Sequence, residues 1–179
     1  ISKSVKATTS PILILLFVGA LAGSWLISGI IPAMIYYGLQ IFHPLFFLPA
    51  CVIICAIISI STGSSWTTSA TIGIALIGIG RAMEINTGIV AGAIISGAYF
   101  GDKLSPLSDT TNLAAAMANS NLFNHIRYMT LTTVPSIIVS LLFFISIGFF
   151  QTTTEDVNNI SLVNSIDEKF FINPILFIV

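Results

Sequence analysis

Long apolar segments with polar residues gathered at a few interruptions run through most of the chain. The pattern predicts membrane spans at about residues 11–31, 44–80, 87–120 and 130–150. A helix of ~20 apolar residues is enough to cross a bilayer. The second span is interrupted near residues 61–69 and the third near residues 102–109. The pattern therefore predicts an all-α membrane protein with polytopic transmembrane helices. One of these is a broken helix, and another is a re-entrant hairpin or a second broken helix.

The last part of the chain follows a different pattern. Residues 151–169 are polar and acidic without periodicity, which predicts a loop between spans. The apolar run from residue 170 is too short to cross a bilayer, so we interpret it as a truncated span. We therefore expect residues 1–179 to form a single transmembrane transporter domain that is part of a longer chain.

Composition supports the membrane assignment. The 179 residues are 55% hydrophobic and only 7% charged, whereas a soluble domain is about 25% charged. The net charge of -1 provides no basic surface and argues against a nucleic-acid partner. Cys51 and Cys55 lie in an apolar run without a neighbouring His or acid, so a zinc site lacks ligands. We interpret both cysteines as buried apolar residues on one helix face.

Hydroxyl side chains are concentrated at the first interruption. Seven of the nine residues 61–69 are Ser or Thr. Irregular backbone at membrane depth is tolerated only where it is buried in protein or lines a wet cavity. Two layouts fit residues 44–80: a re-entrant hairpin whose tip carries the hydroxyls, or one discontinuous helix. In either layout we expect these side chains to face a functional site, and the partner segment consists of Ser64, Ser65, Thr67 and Thr68.

The second half of the first span contains several small residues. Gly29 and Pro32 indicate either a kink or a face of small residues that lets helices pack closely. We favour the packing face.

Charged residues are concentrated at the second interruption. Charge at membrane depth is costly and is usually retained where it handles ions or protons. Pro106 lacks a backbone N–H, and it disfavours the helical conformation for the preceding Ser105. A helix that breaks here would free carbonyl groups after Gly101, and such groups bind Na⁺ or H⁺ in transporters with discontinuous helices.

The side chains around this break are suited to hard cations. Carboxylate, amide and hydroxyl oxygens are the ligands that such cations prefer. Asp109 has no cation near it in sequence, so we expect it to exchange H⁺ for Na⁺ and, with Asn112, to ligate Na⁺. Asp102 is expected to pair with Lys103, which gives this pair a structural role. Gly101 and Pro106 are also expected to be structural. The candidate cation-binding and proton-binding residues are Asp102, Ser105, Ser108, Asp109, Thr110, Thr111 and Asn112.

Three stretches resemble the NhaC-type Na⁺/H⁺ antiporter family of the ion transporter superfamily. The most specific is GAYFGDKLSPLSDTTNLA at residues 97–114, and the others are TGSSWTT at residues 62–68 and PAMIYYGL at residues 32–39. The resemblance implies a multi-pass secondary transporter of the bacterial plasma membrane, with inverted repeats, re-entrant hairpins and broken helices. The chain would cover about one repeat. It also implies exchange of Na⁺ for H⁺ by alternating access. These ions are the transported solutes, and no cofactor is expected.

Two alternatives stay open. The resemblance also covers Na⁺-coupled or H⁺-coupled exchangers of small organic acids or amino acids. In such an exchanger, the start of the half-helix near residues 110–112 would face the anion. An intramembrane aspartyl protease is a remote alternative, because the sequence has no Gly-x-Gly-Asp motif. The expected partners are the lipid bilayer, Na⁺ and H⁺, with an organic anion and a second copy of the chain as further options.

Overall fold

Helices account for nearly all of residues 2–150, which is the part of the chain that the computed structural model describes. Within that range every regular element is α-helical. The helices are α1 (Ser2–Ile27), α2 (Ile30–Ile41), α3 (Pro44–Thr62), α4 (Ser65–Ala70), α5 (Ile72–Ala82), α6 (Thr87–Leu104), α7 (Asp109–Met117) and α8 (Leu122–Phe150). The loop and the truncated span predicted from residue 151 onward lie outside the described residues.

Two of these helices, α3 and α8, are long and apolar enough to cross a membrane. A third span results if Gly19–Ile27 and α2 are taken as one bent span. The prediction of an all-α membrane protein with a broken helix is confirmed. The helix that contains the span expected at residues 130–150 is longer than predicted, because residues 122–129 extend it at its N-terminal end.

The bend after α1 corrects the favoured interpretation of the small residues there. Gly29 has a φ of 88° and a ψ of 0°, and the two helical pieces meet at an angle of 71°. This left-handed conformation suits glycine, which has no Cβ to oppose it. A methyl group built on Gly23 would meet nothing within 4 Å in the described part of the chain, so close packing among these residues does not require a small residue there. The stretch is a helix break.

Residues 44–82 form a hairpin. Gly63, with a φ of 70°, ends α3 and donates its backbone N–H to the Ser59 carbonyl at 2.8 Å. The chain then returns through α4 and α5, which are separated by Thr71 (φ -106°, ψ -88°). Gly80 near the end of α5 lies beside Phe47 near the start of α3. A methyl group built on Gly80 would be 3.1 Å from the Phe47 ring. Of the two layouts open from sequence, the structure has the hairpin.

The third predicted span is a helix broken into α6 and α7. Helix α8 runs antiparallel to α6: a methyl group built on Gly92 would lie 3.8 Å from the Phe144 ring, and Lys103 shares a cleft with Thr133. Helix α8 therefore packs along α6 and also contacts α7.

The core lies where α3 crosses α6. A Cβ built on Gly97 would overlap the Val52 carbonyl oxygen, and one on Gly101 would overlap that of Ala56. Small residues in membrane helices allow this kind of close backbone approach. Cys51 and Cys55 are buried and unbridged, as predicted. The buried apolar residues around the crossing are Phe47, Leu48, Cys51, Val52, Cys55, Leu76, Ile79, Val90, Ala93, Ile94, Ala98 and Phe144.

Substitution of Gly97 by Ala tests this crossing. The added methyl group would meet backbone atoms of α3, which cannot rotate away as a side chain can. We expect Gly97→Ala to destabilise the full-length protein by about 1–3 kcal/mol, as overpacked cores do, and to lower its Tm. Thermal unfolding in detergent, followed by circular dichroism, measures this.

Gly92→Ala on the same helix is the matched control, because its methyl group would make only an ordinary contact with Phe144. Equal Tm values for the two variants would show that the close crossing of α3 and α6 is not needed for stability.

Candidate functional site

The two interruptions predicted from sequence meet in the structure. One is the turn at residues 63–64 between α3 and α4, and the other is the turn at residues 105–108 between α6 and α7. A methyl group built on Gly63 would lie 2.6 Å from the Leu107 carbonyl carbon. The Ser105 hydroxyl donates to the Ile60 carbonyl oxygen at 2.7 Å. We call these two turns and the side chains between them the junction.

The first turn is stabilised by its own hydroxyl groups. Ser64 caps α4, and its Oγ accepts hydrogen bonds from the Thr67 backbone N–H at 3.2 Å and the Thr67 hydroxyl at 3.1 Å. The Thr68 hydroxyl donates to the Ser64 carbonyl oxygen at 2.9 Å. An N-terminal cap of this kind satisfies helix N–H groups that would otherwise lack partners. Three of the four hydroxyls of the partner segment, those of Ser64, Thr67 and Thr68, therefore stabilise the turn.

The second turn is stabilised by the first turn of α7. Ser108 caps α7 and accepts from the Thr111 N–H at 3.4 Å. The Thr111 hydroxyl lies 3.3 Å from the Asp102 carbonyl oxygen and 3.2 Å from that of Lys103. The Asn112 amide donates to the carbonyl oxygens of Pro106 and Ser108 at 2.8 and 2.7 Å. Side chains thus satisfy several of the carbonyl groups that the break was expected to leave free.

Asp102 is the carboxylate at the junction. Its Oδ2 accepts a hydrogen bond from the Ser65 hydroxyl at 3.0 Å. Its Oδ1 is buried and has no hydrogen-bond partner among the described residues. Buried polar atoms are nearly always hydrogen-bonded, because an unsatisfied one loses its hydration without compensation. Oδ1 is therefore a buried acceptor that the described residues leave unsatisfied.

The expected pairing of Asp102 with Lys103 is not found within residues 2–150. Consecutive residues project about 100° apart around an α-helix. Asp102 reaches Ser65 of α4, whereas Lys103 lines a cleft against α8. The two opposite charges therefore lie on different sides of α6.

The predicted site residues fall into two groups. Ser65, Thr68, Ser105, Ser108 and Thr111 are buried around the junction, with Ser64, Thr67 and Asp102 partly buried.

Asp109, Thr110 and Asn112 are exposed along the start of α7. Asp109 Oδ1 accepts from the Thr110 N–H at 2.8 Å. The structure thus brings Asp102, rather than Asp109, next to the partner segment.

Sequence reasoning missed Ser59. It is fully buried, and its hydroxyl donates to the Ala98 carbonyl oxygen at 2.6 Å, which joins α3 to α6 beside the junction. The available signal was its position one turn before Gly63 in an apolar helix, where an isolated hydroxyl needs a partner.

Two interrupted helical elements that meet at a polar junction inside an apolar bundle are typical of membrane transporters with discontinuous helices. Comparison with known proteins agrees. Residues 97–178 match the profile described as the Na⁺/H⁺ antiporter family. The chain belongs to the Na⁺/H⁺ antiporter (NhaC) family. This is a family of transporters rather than enzymes, so the aspartyl protease alternative is dropped.

Curated relatives include exchangers with different names. The chain is 42% identical to the Na⁺/H⁺ antiporter NhaC of Alkalihalophilus pseudofirmus, over 98% of this chain and 39% of that protein. It is 49% identical to the malate-2H⁺/Na⁺-lactate antiporter of Bacillus subtilis, over 77% of this chain and 30% of that protein. It is 39% identical to the arginine/ornithine antiporter ArcD of Halobacterium salinarum, over 86% of this chain and 32% of that protein. The chain thus spans about two fifths or less of the length of these relatives. No solved structure matches it.

Loss of the Ser105 hydroxyl should loosen the junction. Its Oγ donates to the Ile60 carbonyl oxygen and accepts from the Leu107 N–H at 3.2 Å. Ser105→Ala leaves both groups without this partner, so we expect it to destabilise the full-length protein by about 1–3 kcal/mol. The measurement is the Tm in detergent.

Ser146→Ala is the control for Ser105→Ala, since Ser146 is exposed and bonds only to a carbonyl of its own helix. If both variants lower the Tm equally, the hydrogen bond between the two turns contributes nothing specific.

Proposed function

We propose that the full-length protein exchanges Na⁺ for H⁺ across the bacterial plasma membrane by alternating access, with the ion held at the junction. The observation that carries the proposal is the Asp102 carboxylate. It accepts a hydrogen bond from Ser65 through one oxygen, and its other, buried oxygen has no partner among residues 2–150. Family membership supports an antiporter.

The chemistry of exchange follows from a carboxylate with one unused oxygen. That oxygen can bind Na⁺ when Asp102 is ionised, or carry a proton when Asp102 is neutral, but not both at once. A site that holds one ion or the other, and that opens to each side of the membrane in turn, moves the two ions in opposite directions. Hydroxyl and carbonyl oxygens around the junction are further hard ligands for Na⁺.

Asp109 is the second candidate carboxylate. It lies at the start of α7, where the positive end of the helix dipole favours an acidic side chain. Its exposure supports a role at the rim of the site, where it would attract the cation together with Asn112.

Exchange of a small organic acid or amino acid, coupled to Na⁺ or H⁺, is the alternative function. The names of two relatives support it, one a malate/lactate antiporter and the other an arginine/ornithine antiporter. Proteoliposomes containing the full-length protein separate the functions: Na⁺ alone should dissipate an imposed pH gradient. If Na⁺ acts only when an organic acid or amino acid is also supplied, simple Na⁺/H⁺ exchange is ruled out.

Isosteric amides distinguish the two carboxylates. We expect Asp102→Asn to abolish Na⁺-driven H⁺ flux, because an amide can neither carry the proton nor neutralise Na⁺. Asp109→Asn should chiefly raise the Na⁺ concentration needed for half-maximal flux. Both are measured in proteoliposomes with a pH-sensitive dye, after matched reconstitution.

Glu84→Gln removes a carboxylate from the opposite end of α6 and serves as the control. Full exchange by Asp102→Asn with no exchange by Asp109→Asn would move the coupling carboxylate to Asp109.

A further inference from the structure

Lys103 lines a cleft on the side of α6 that faces away from the junction. The cleft lies between α6 and α8 and has a volume of about 250 Å³. Besides Lys103, five hydroxyl-bearing residues line it: Ser96, Tyr99, Thr133, Ser136 and Ser140. No carboxylate lines it among the residues that the structure describes. The cleft is thus positively charged and rich in hydroxyl groups.

Of the six polar groups that line the cleft, three are engaged in hydrogen bonds within their own helices and three are available as donors. The hydroxyls of Ser96, Thr133 and Ser136 already donate to backbone carbonyl oxygens of their own helices, at 2.8, 2.7 and 2.9 Å. The Lys103 ammonium and the hydroxyls of Tyr99 and Ser140 have no such partner in the described part of the chain.

Lys103 is exposed on this side of α6, so its ammonium is accessible to a charged group in the cleft. An ammonium that faces a membrane interior is costly without a counter-ion. Lys103 lies in the last turn of α6, where the helix dipole favours a cation. That effect is modest and falls off within a turn, so it does not replace a counter-ion. The remaining requirement is an anion that accepts hydrogen bonds from an ammonium and two hydroxyls, and a carboxylate has the acceptor oxygens for this.

We propose that this cleft binds the carboxylate group of a small organic acid, through Lys103 with Tyr99 and Ser140. Its volume is below the ~300–1,000 Å³ of sites for drug-sized ligands, which favours a small solute. The inference deepens the alternative function proposed above, organic-acid exchange, and rests on it. It also explains why Asp102 and Lys103 are not paired: one helix presents a carboxylate to a cation site and an ammonium to an anion site.

Calorimetric titration of the full-length protein in phosphatidylcholine nanodiscs tests the proposal, with succinate and lactate as probes and neutral lactamide as the comparison. Wild-type protein should bind at least one acid and not lactamide. Lys103→Gln should weaken binding at least about 10-fold, as expected for loss of a hydrogen bond to a charged group. Lys103→Arg should bind within a few-fold of wild type. Ser140→Leu, which fills the cleft with a side chain that a membrane helix accepts, should also block binding.

Arg81→Gln is the matched control, because it removes an exposed cation from the end of α5, away from the cleft. Equal binding by Lys103→Gln and Arg81→Gln would overturn the proposal. The proposal would also be overturned if the wild-type protein bound Na⁺ but neither acid. That result is expected if the rest of the full-length chain fills the cleft. A wild-type protein that does not bind Na⁺ counts instead against the cation site.

A lipid phosphate offers the same oxyanion chemistry, and a second arm separates the two sources. Native mass spectrometry of protein taken from nanodiscs containing phosphatidylglycerol reports retained lipid. If Lys103→Gln loses bound phosphatidylglycerol while the wild type binds no free acid, the occupant is a lipid headgroup and the small-acid proposal is overturned.

Discussion

The close crossing of α3 and α6 is the constraint on which the rest of the structure depends. Gly97 and Gly101 bring the α6 backbone against the carbonyl groups of Val52 and Ala56. The Ser59 hydroxyl then joins α3 directly to the Ala98 carbonyl oxygen. Apolar burial adds little preference between helices in a bilayer, so van der Waals packing and such hydrogen bonds determine which helices associate. Because the crossing lies just before both helix breaks, it also brings the two breaks together.

The junction illustrates how irregular backbone is accommodated in a membrane protein. Each turn exposes N–H and carbonyl groups that lipid cannot satisfy. Ser64 and Ser108 cap the helices that follow, and Asn112 satisfies the carbonyl groups of the second turn. The hydroxyl-rich composition of both interruptions therefore has a structural role. Asp102 Oδ1 is the exception, a buried oxygen that these contacts leave unused.

Separation of charge around α6 is the feature on which the proposed function and the further inference both rest. Asp102 and Lys103 are neighbours in sequence, yet helix geometry directs them to different surroundings. One lies with the hydroxyls of the hairpin turn, and the other lies with those of α8. A salt bridge between them would have neutralised both groups. Both proposed sites depend on this separation, because each needs a charged group that its sequence neighbour does not neutralise.

Much of this protein was determined by its sequence alone. The lack of charge from residue 7 to residue 80 requires a membrane environment. Pro106 and the hydroxyl-rich stretch at residues 61–69 mark both interruptions, because proline and glycine act on the local backbone whatever surrounds it. The resemblance of residues 97–114 to NhaC-type antiporters was likewise visible without coordinates, and the comparisons agree with it.

Only the tertiary structure decided which groups meet. Sequence adjacency suggested that Asp102 pairs with Lys103, but Asp102 bonds to Ser65, 37 positions away along the chain. The bend at Gly29 was not the favoured interpretation, because glycine permits both close packing and a left-handed break, and the neighbouring helices decide between them. The hairpin at residues 44–82 was undecided for a similar reason, since a polar turn looks alike in a hairpin and in a broken helix. The return of the chain brings Gly80 beside Phe47, a proximity that local sequence does not encode.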